Sequence, residues 1–334
     1  MSTKALPVRQ EQLNHVRTYR IADSTLTVFA DSVEADNLWA EFAPKYCLTV
    51  CPPALAEVST GTIELYCQQR PSAVPAGLAP EQIEHGQGWI EGEKIWLEIA
   101  GAIIFISAPA TNVVKIWVDP QTIGLEAVIA YALPSALRRR GFYELHAAGL
   151  IAPATNQGVL IIGDSGSGKS TLATRLASSG WSYLTDDLVL LQQAAKAVTA
   201  WGLRRVFALT DETLQACFST QSDQSSGDEA AKQYLDPQNL FATTATASSQ
   251  PCTLFFTELT QAAQTRIEAI SSSAAMMGLL RQSSWLCYDP VVAHHHTQLL
   301  TRLAQQCQAF RLYAGRDLLL QPKLADELLR SYLL

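Results

Sequence analysis

Paired cysteine spacing, a basic excess and a long uncharged apolar run are all missing from this chain of 334 residues. The seven cysteines, Cys47, Cys51, Cys67, Cys217, Cys252, Cys287 and Cys307, are odd in number and nowhere form the CxxC pairs of a zinc or redox site. Cys47 and Cys51 come nearest, but they sit in a strand-like run, Tyr46 to Cys51, where buried apolar thiols are the plain reading. Lysine and arginine number 24 against 31 aspartates and glutamates, a formal net charge of −7, which opposes broad attraction to nucleic acid or anionic lipid. Anionic ligands must then be held locally. The most apolar stretch, Ile95 to Ala110, is interrupted by Glu98 and Gly101 and falls short of the roughly 18–20 apolar residues that cross a bilayer, so it reads as buried strands. From Met1 to Arg20 the chain carries Lys4, Arg9, Glu11, Arg17 and Arg20 and no secretory apolar stretch. With reduced thiols, this leads to the expectation of a cytoplasmic protein.

What is present is the composition of a folded protein, 48% hydrophobic and 16% charged, in a chain long enough for two cores. From Tyr19 to about Val118, runs such as Thr25 to Phe29, Thr62 to Tyr66 and Lys94 to Ile99 alternate with turn-forming clusters, Pro71 to Pro80 among them. This predicts a mostly β domain over residues 1–120, without recognisable chemistry. After Asp119-Pro120, helical spacing from Ile123 to Arg140 ends in three arginines and contains Pro134, which would kink or shorten the helix expected to open a second domain, 121–334. Strands and helices then alternate as in an α/β sheet. Residues Ser219 to Gln250, rich in Ser, Thr, Gln and Ala, read as a mobile loop, either a lid or a solvated insertion.

The strongest signal is Gly163-Asp164-Ser165-Gly166-Ser167-Gly168-Lys169-Ser170, which satisfies GxxxxGK[ST] between a strand, Val159 to Ile162, and a helix. Glycines there let backbone N–H groups turn toward phosphate oxygens, and the positive end of the helix adds to them. Lys169 would reach the β- and γ-phosphates, Ser170 would ligate Mg²⁺, and Thr171 completes the candidate nucleotide-binding set. The helix presents Leu172, Ala173, Leu176 and Ala177 on one face and stops at Gly180; a strand, Trp181 to Thr185, follows and closes on Asp186-Asp187. If the two strands run parallel, both carboxylates come to the edge of the sheet that bears the phosphate loop. One would serve the metal and the other the attacking hydroxyl, the spacing leaving open which; Ser170 and Asp186 are the candidate metal ligands. An acidic turn after a strand is the plainer alternative.

His146, in a strand-like segment entering the same sheet, is a candidate to orient or relay a proton; a hydrogen-bonded core histidine is its rival. Glu144, one face-repeat away, could orient the ring or face solvent. His294-His295-His296 point three ways on a helix and read as its polar start. Arg204 and Arg205, and more weakly Lys232, are candidates for a phosphate clamp or plain surface charges.

The run His146 to Ile151, the loop Gly158 to Ser170 and Thr185-Asp186-Asp187, in that order, resemble the catalytic domain of HPr kinase/phosphorylase, and most of all its shorter-motif relatives, some of which phosphorylate peptide precursors. The resemblance covers roughly the second domain. It implies an α/β P-loop catalytic domain of the HPr kinase and phosphoenolpyruvate carboxykinase type, here preceded by a smaller mostly β domain. Lys169 and Ser170 would hold the nucleotide and its metal, Asp186 and Asp187 would act as base and metal ligand, and His146 would support the acceptor end. The family's second signature, an acidic residue before Arg-Gly, is missing; only Gly202-Leu203-Arg204-Arg205 stands near its place, so neither phosphorolysis nor HPr as acceptor is implied. A weaker similarity runs from Arg311 through Gly315, Asp317 and Pro322. The expectation is an ATP- and Mg²⁺-dependent kinase acting on a hydroxyl of a protein, peptide or small molecule, with no nucleic-acid or membrane partner; a homo-oligomer is compatible with it. A slow nucleotide-dependent switch or ATPase, and a binding protein with a vestigial pocket, are the alternatives.

Overall fold

The computed structural model describes residues 13–51, 61–67, 78–218 and 233–333, apart from residues 84, 120, 122, 123, 154, 196, 242, 287 and 322. Outside these residues lie Lys4, Arg9 and Glu11, most of the Pro71 to Pro80 turn, Lys232, Cys287 and Pro322. The chain forms two compact units.

The first unit, residues 1–44, 48–140 and 288–291, is built on strands β1 (His15–Ile21), β2 (Ser24–Ala30), β3 (Thr49–Val50), β4 (Gly61–Tyr66), β5 (Glu81–Ile83), β6 (Gly86–Glu91), β7 (Lys94–Ile99), β8 (Ala102–Ile106) and β9 (Val113–Trp117), with helices α1 (Val33–Phe42) and α2 (Leu125–Arg138). Its sheet runs β3-β1-β2-β4-β9-β8-β7-β6-β5, with β2, β4 and β9 parallel and the remaining neighbours antiparallel. The apolar run from Ile95 folds as the β7–β8 hairpin. Its turn residues, Ala100 and Gly101, have φ of 49° and 80°, and two positive φ values give the tight turn whose twist matches the strands it joins.

Helix α2, expected to open the second domain, belongs instead to the first and packs on β4, β8 and β9. Its apolar face, including Val128, Ile129, Leu133 and Leu137, is buried there, and Gly61 permits the approach, since a Cβ would lie 3.0 Å from the Ala136 carbonyl oxygen. The units therefore divide at Arg140/Gly141 rather than near residue 120, and Asp119 lies between β9 and α2 of the first unit. Pro134 sits inside the helix without ending it. Of the terminal arginines, Arg139 is bonded to both oxygens of buried Asp289, at 3.2 Å each, which ties residues 288–291 to this unit.

The second unit contains β10 (Phe142–Ile151), β11 (Gly158–Ile162), α3 (Lys169–Ser178), β12 (Ser182–Thr185), β13 (Leu188–Ala194), β14 (Ala197–Gly202), β15 (Phe207–Leu209), α4 (Asp211–Phe218), β16 (Gln233–Leu235), α5 (Pro237–Leu240), β17 (Ser248–Ser249), β18 (Pro251–Leu259), β19 (Arg266–Ala269), α6 (Ser272–Arg281), α7 (Pro290–Gln306), β20 (Gln308–Ala314), α8 (Arg316–Leu320) and α9 (Leu324–Arg330). The architecture is α/β with mixed sheets. The main sheet has the order β17-β14-β13-β10-β11-β18-β20-β19, and β12 pairs with the far half of β10. Strands β11, β18 and β20 are parallel, while β10 is antiparallel to both β11 and β12. Hence β11 and β12 run in the same direction with β10 between them. The condition set by the sequence pattern is met through an interposed strand.

On α3, Leu172, Ala173, Leu176 and Ala177 are buried against Phe207, Phe255 and Leu312. Gly180, at φ 89°, ends the helix, its N–H donating to Ala177 and that of Trp181 to Leu176. Of the polar stretch from Ser219, expected as a mobile loop, residues 219–232 lie outside the described residues, and 233–249 hold β16, α5 and β17. The few large apolar side chains explain this, because Leu235 and Phe241 pack on the core around α3 and Asp236 caps α5. Among the described residues, no helix is long and apolar enough to cross a membrane.

Candidate active site

The site grows out of β11, whose five residues are all buried, as expected for a central strand flanked on both sides. At its end the chain curls tightly against β18, and a Cβ on Gly163 would lie 2.5 Å from Ser167 Oγ and 2.7 Å from the Thr257 carbonyl oxygen. Gly166 and Gly168 have φ of 78° and 89°, in the left-handed region that disfavours other residues. Gly168 is also the N-cap of α3 and brings no capping side chain, so the first N–H groups of the helix face the turn without a side-chain acceptor from the cap. Lys169 Nζ folds back on the turn, donating to the carbonyl oxygens of Gly163 (2.7 Å) and Asp164 (3.0 Å). Ser167 Oγ meets Thr257 Oγ1 at 3.1 Å, Thr171 Oγ1 meets Thr213 Oγ1 at 3.0 Å, and Gln282 donates to Asp164 Oδ1 at 2.6 Å.

A cavity of about 450 Å³ opens over this turn, walled by Ser165 to Leu172, by His146 and Asp187, and by Leu259, Leu312 and Leu318. That volume falls within the roughly 300–1,000 Å³ of small-molecule pockets.

Register explains how His146 and Asp187 meet. Ala147 pairs with Ile162 across β10–β11, and His146 pairs with Leu188 across β10–β13, so the histidine lies between the end of β11 and the turn after β12. The Asp187 carbonyl oxygen accepts the Ala147 N–H at 2.9 Å. On the side chains, His146 Nε2 lies 3.2 Å from Asp187 Oδ1, and Arg204 donates to Asp187 Oδ2 at 2.9 Å. His146 and Asp187 are about one-third exposed, whereas Arg204 is 11% exposed and stacks over Tyr234. The carboxylate partner of His146 is thus Asp187, not Glu144, which is buried farther along β10.

Asp186 is in a different environment. It is 1% exposed; its Oδ2 accepts the Ala208 N–H at 2.9 Å, and its Oδ1 has no partner among the described residues. Burial, aided by the neighbouring Asp187 charge, pushes its carboxyl up to about 7. Adjacent residues at a strand end point opposite ways, so one carboxylate meets the cavity and the other the interior.

Arg204 as the partner of Asp187 was not legible in the local pattern, which left it between a phosphate clamp and a surface charge. The signal is in the hairpin. Val189 pairs with Gly202 and the Leu203 N–H donates to the Leu188 carbonyl, so one more step of the ladder sets Arg204 opposite Asp187. Arg205, the next residue, is exposed.

Of the three consecutive histidines on α7, His296 is buried and stacks on Tyr143 at 4.8 Å while His294 and His295 are exposed, so the rings do not converge. Asp317, from the closing segment, is a structural lock: it accepts from Thr265 N (2.9 Å), Thr265 Oγ1 (2.6 Å) and Leu318 N (2.8 Å). Burial works to raise its carboxyl, but these bonds outweigh it and hold the group below the ordinary value. Among the described residues, no three His, Cys, Asp or Glu side chains converge as a metal cluster.

No protein-family model matches the chain, and no curated protein matches it. Among solved structures, the chain is similar to the Hpr(Ser) kinase/phosphatase from Coxiella burnetii, at 16% identity over 57% of this chain and 89% of that one, with a TM-score of 0.31. A likeness of that extent carries no weight for the chemistry of the site.

Proposed function

We propose that the second unit is a phosphotransferase that binds Mg·ATP at Gly163 to Thr171 and moves the γ-phosphoryl group to a hydroxyl. One observation carries this reading: the His146–Asp187–Arg204 chain opens into the same cavity as the GxxxxGK[ST] turn. The turn suits a polyphosphate because its backbone is bent by glycines and the helix behind it lacks a side-chain cap. Lys169 would exchange its two carbonyl bonds for phosphate oxygens.

The donor set fits a hard cation only in part. Ser170 lines the cavity and would hold Mg²⁺, which supplies charge neutralisation at the phosphates, whereas Asp186, the other expected ligand, is buried and does not line the cavity with it. Asp187 would accept the proton of the attacking hydroxyl. His146 would orient that carboxylate from one side and Arg204 from the other, leaving the proton acceptor positioned by two bonds. The order of His146, the glycine turn and Asp186-Asp187 along the chain, which resembles that of HPr-kinase-like proteins, agrees with transfer to an alcohol more than with hydrolysis.

The test separates binding from chemistry. Lys169→Ala should abolish Mg·ATP binding by calorimetry while leaving circular dichroism unchanged. With γ-labelled ATP and cell extract, the parent protein should label an acceptor, in a His146-dependent way, and hydrolyse ATP feebly without one. Brisk hydrolysis indifferent to His146→Ala would make it an ATPase or switch.

A further inference from the structure

A second cavity, of about 560 Å³, opens at the base of the same turn against Gly163 and Asp164. Phe256, Ile270 and Met277 give it apolar walls, and Arg281 from the end of α6 and Arg311 from β20 both line it. Helix α6 lies close to the sheet because Gly278 has no side chain; a Cβ there would sit 2.3 Å from the Phe256 ring.

Neither guanidinium is bonded to another described residue. Acidic groups on the neighbouring elements are engaged elsewhere or make no pair with them. Glu268, opposite Arg311 in the β19–β20 ladder, is paired with Arg266, and Asp164 is bonded to Gln282. Glu258, at the same cavity, makes no ion pair with either arginine. Both arginines are exposed and solvated, so their guanidinium forks are open to carboxylate or phosphate oxygens.

The cavity is also next to the chemistry. Gln282, which follows α6, bonds Asp164 of the phosphate turn through its side chain, and its carbonyl oxygen accepts the His146 N–H at 3.1 Å. A ligand lying here would touch the turn on one side and approach the strand carrying His146 on the other.

We propose that this cavity holds the phosphate acceptor, and that the acceptor is a small hydroxylated molecule bearing a carboxylate or phosphate group gripped by Arg281 and Arg311. The proposal rests on the phosphotransferase reading above. The acceptor hydroxyl oxygen bonds to the γ-phosphorus as the bond to the β,γ-bridging oxygen breaks. The hydroxyl end of the acceptor extends past Thr257, which lines both cavities, into the first one, where its proton passes to Asp187, and ADP leaves with the electron pair of the broken bond. Glu258 makes the site bipolar and suits a second donor on the ligand, such as an ammonium or another hydroxyl. The volume favours a compact acid over a folded protein partner.

The full chain is incubated with γ-labelled ATP and serine, glycerate or glycerol phosphate, with glycerol and a neutral serine-containing peptide as comparisons. At least one acid should be labelled in preference to both comparisons. In Arg281→Gln and Arg311→Gln, its KM should rise roughly 10- to 100-fold, as for lost hydrogen bonds to a charged group, while ADP affinity stays at the parent value. Glycerate against glycerol phosphate tells a carboxylate from a phosphate handle. Equal labelling of glycerol or the peptide, or unchanged KM in both variants, overturns the anionic acceptor and leaves the phosphotransferase reading standing. If nothing is labelled although ADP binds in a Lys169-dependent way, the transfer reading fails. Ligand-observed NMR of the same acids with ADP present then decides the anion site: arginine-dependent binding supports it, and no binding overturns it.

Discussion

Each unit of this molecule contains a strand that runs beside a parallel neighbour and turns into a helix, yet the two turns have opposite chemistry. In the first unit, β2 lies parallel to β4 and leads into α1 through Asp31 and Ser32. Ser32 is extended, and its Oγ accepts the Ala35 N–H at 3.2 Å, while Asp31 Oδ1 accepts the Cys67 N–H at 3.0 Å. The polar groups of that turn are satisfied by the chain itself. In the second unit, β11 lies parallel to β18 and leads into α3 through a longer turn whose cap is left-handed Gly168. A helix start is open to an anion when its own side chains do not fill it, so topology alone does not tell the two turns apart.

The sharpest way to break this contrast is to give α3 the cap that α1 has. Gly168→Ser places a side chain at φ 89°, a strain of about 1–2 kcal/mol, and crowds Leu259, whose Cδ2 would be 3.1 Å from the new Cβ. Mg·ATP affinity by calorimetry should fall by about 100-fold or more with the fold retained by circular dichroism. Unchanged affinity would mean that the turn is not the phosphate site.

Next in size is Asp187→Asn, which keeps the shape of the turn but removes the proposed proton acceptor. Transfer should drop by roughly 10² with ADP affinity preserved. A variant that turns over normally would reduce the His146–Asp187–Arg204 chain to a structural link.

The two aspartates should also part company with pH. Asp186 titrates near 7 when folded, above the ordinary aspartate range, so proton binding favours the folded state. That contribution is fully present below about pH 4 and is lost as pH rises toward about 7. Asp186→Asn removes the ionisation, so its stability relative to the parent should improve across this window, by on the order of 1.4 kcal/mol per pH unit at most. Urea unfolding at about pH 5 and about pH 8 checks it. A pH-independent difference would place the carboxyl in a wetter setting than its burial indicates.

The smallest effect belongs to the first unit. Ser32→Ala removes the α1 cap and should cost about 1 kcal/mol in denaturant unfolding. Nucleotide affinity should not change. If it does, the two turns are coupled rather than merely analogous.

Some of this was determined by the sequence alone, because some signals are local. The glycine turn, its flanking strand and helix, the stop at Gly180 and the opposed aspartates are all set by residues within about thirty positions of one another, where backbone sterics and side-chain periodicity decide the outcome. The strand character of Thr25 to Phe29, Thr62 to Tyr66 and Lys94 to Ile99 in the first unit is legible for the same reason, whereas the β7–β8 hairpin came from the structure. Other features depended on pairing between distant segments. Helix α2 reads as amphipathic in the sequence, but which sheet buries its face is decided by the close approach at Gly61. The residues after 232 look too polar to pack, yet Leu235 and Phe241 find the core around α3. Arg204 becomes the partner of Asp187 only through the β13–β14 ladder, and β11 and β12 become parallel only because β10 lies between them. Composition and periodicity report which face of an element avoids water; they carry no information on which other element supplies the shelter. Register supplies that, and register is a property of the assembled sheet.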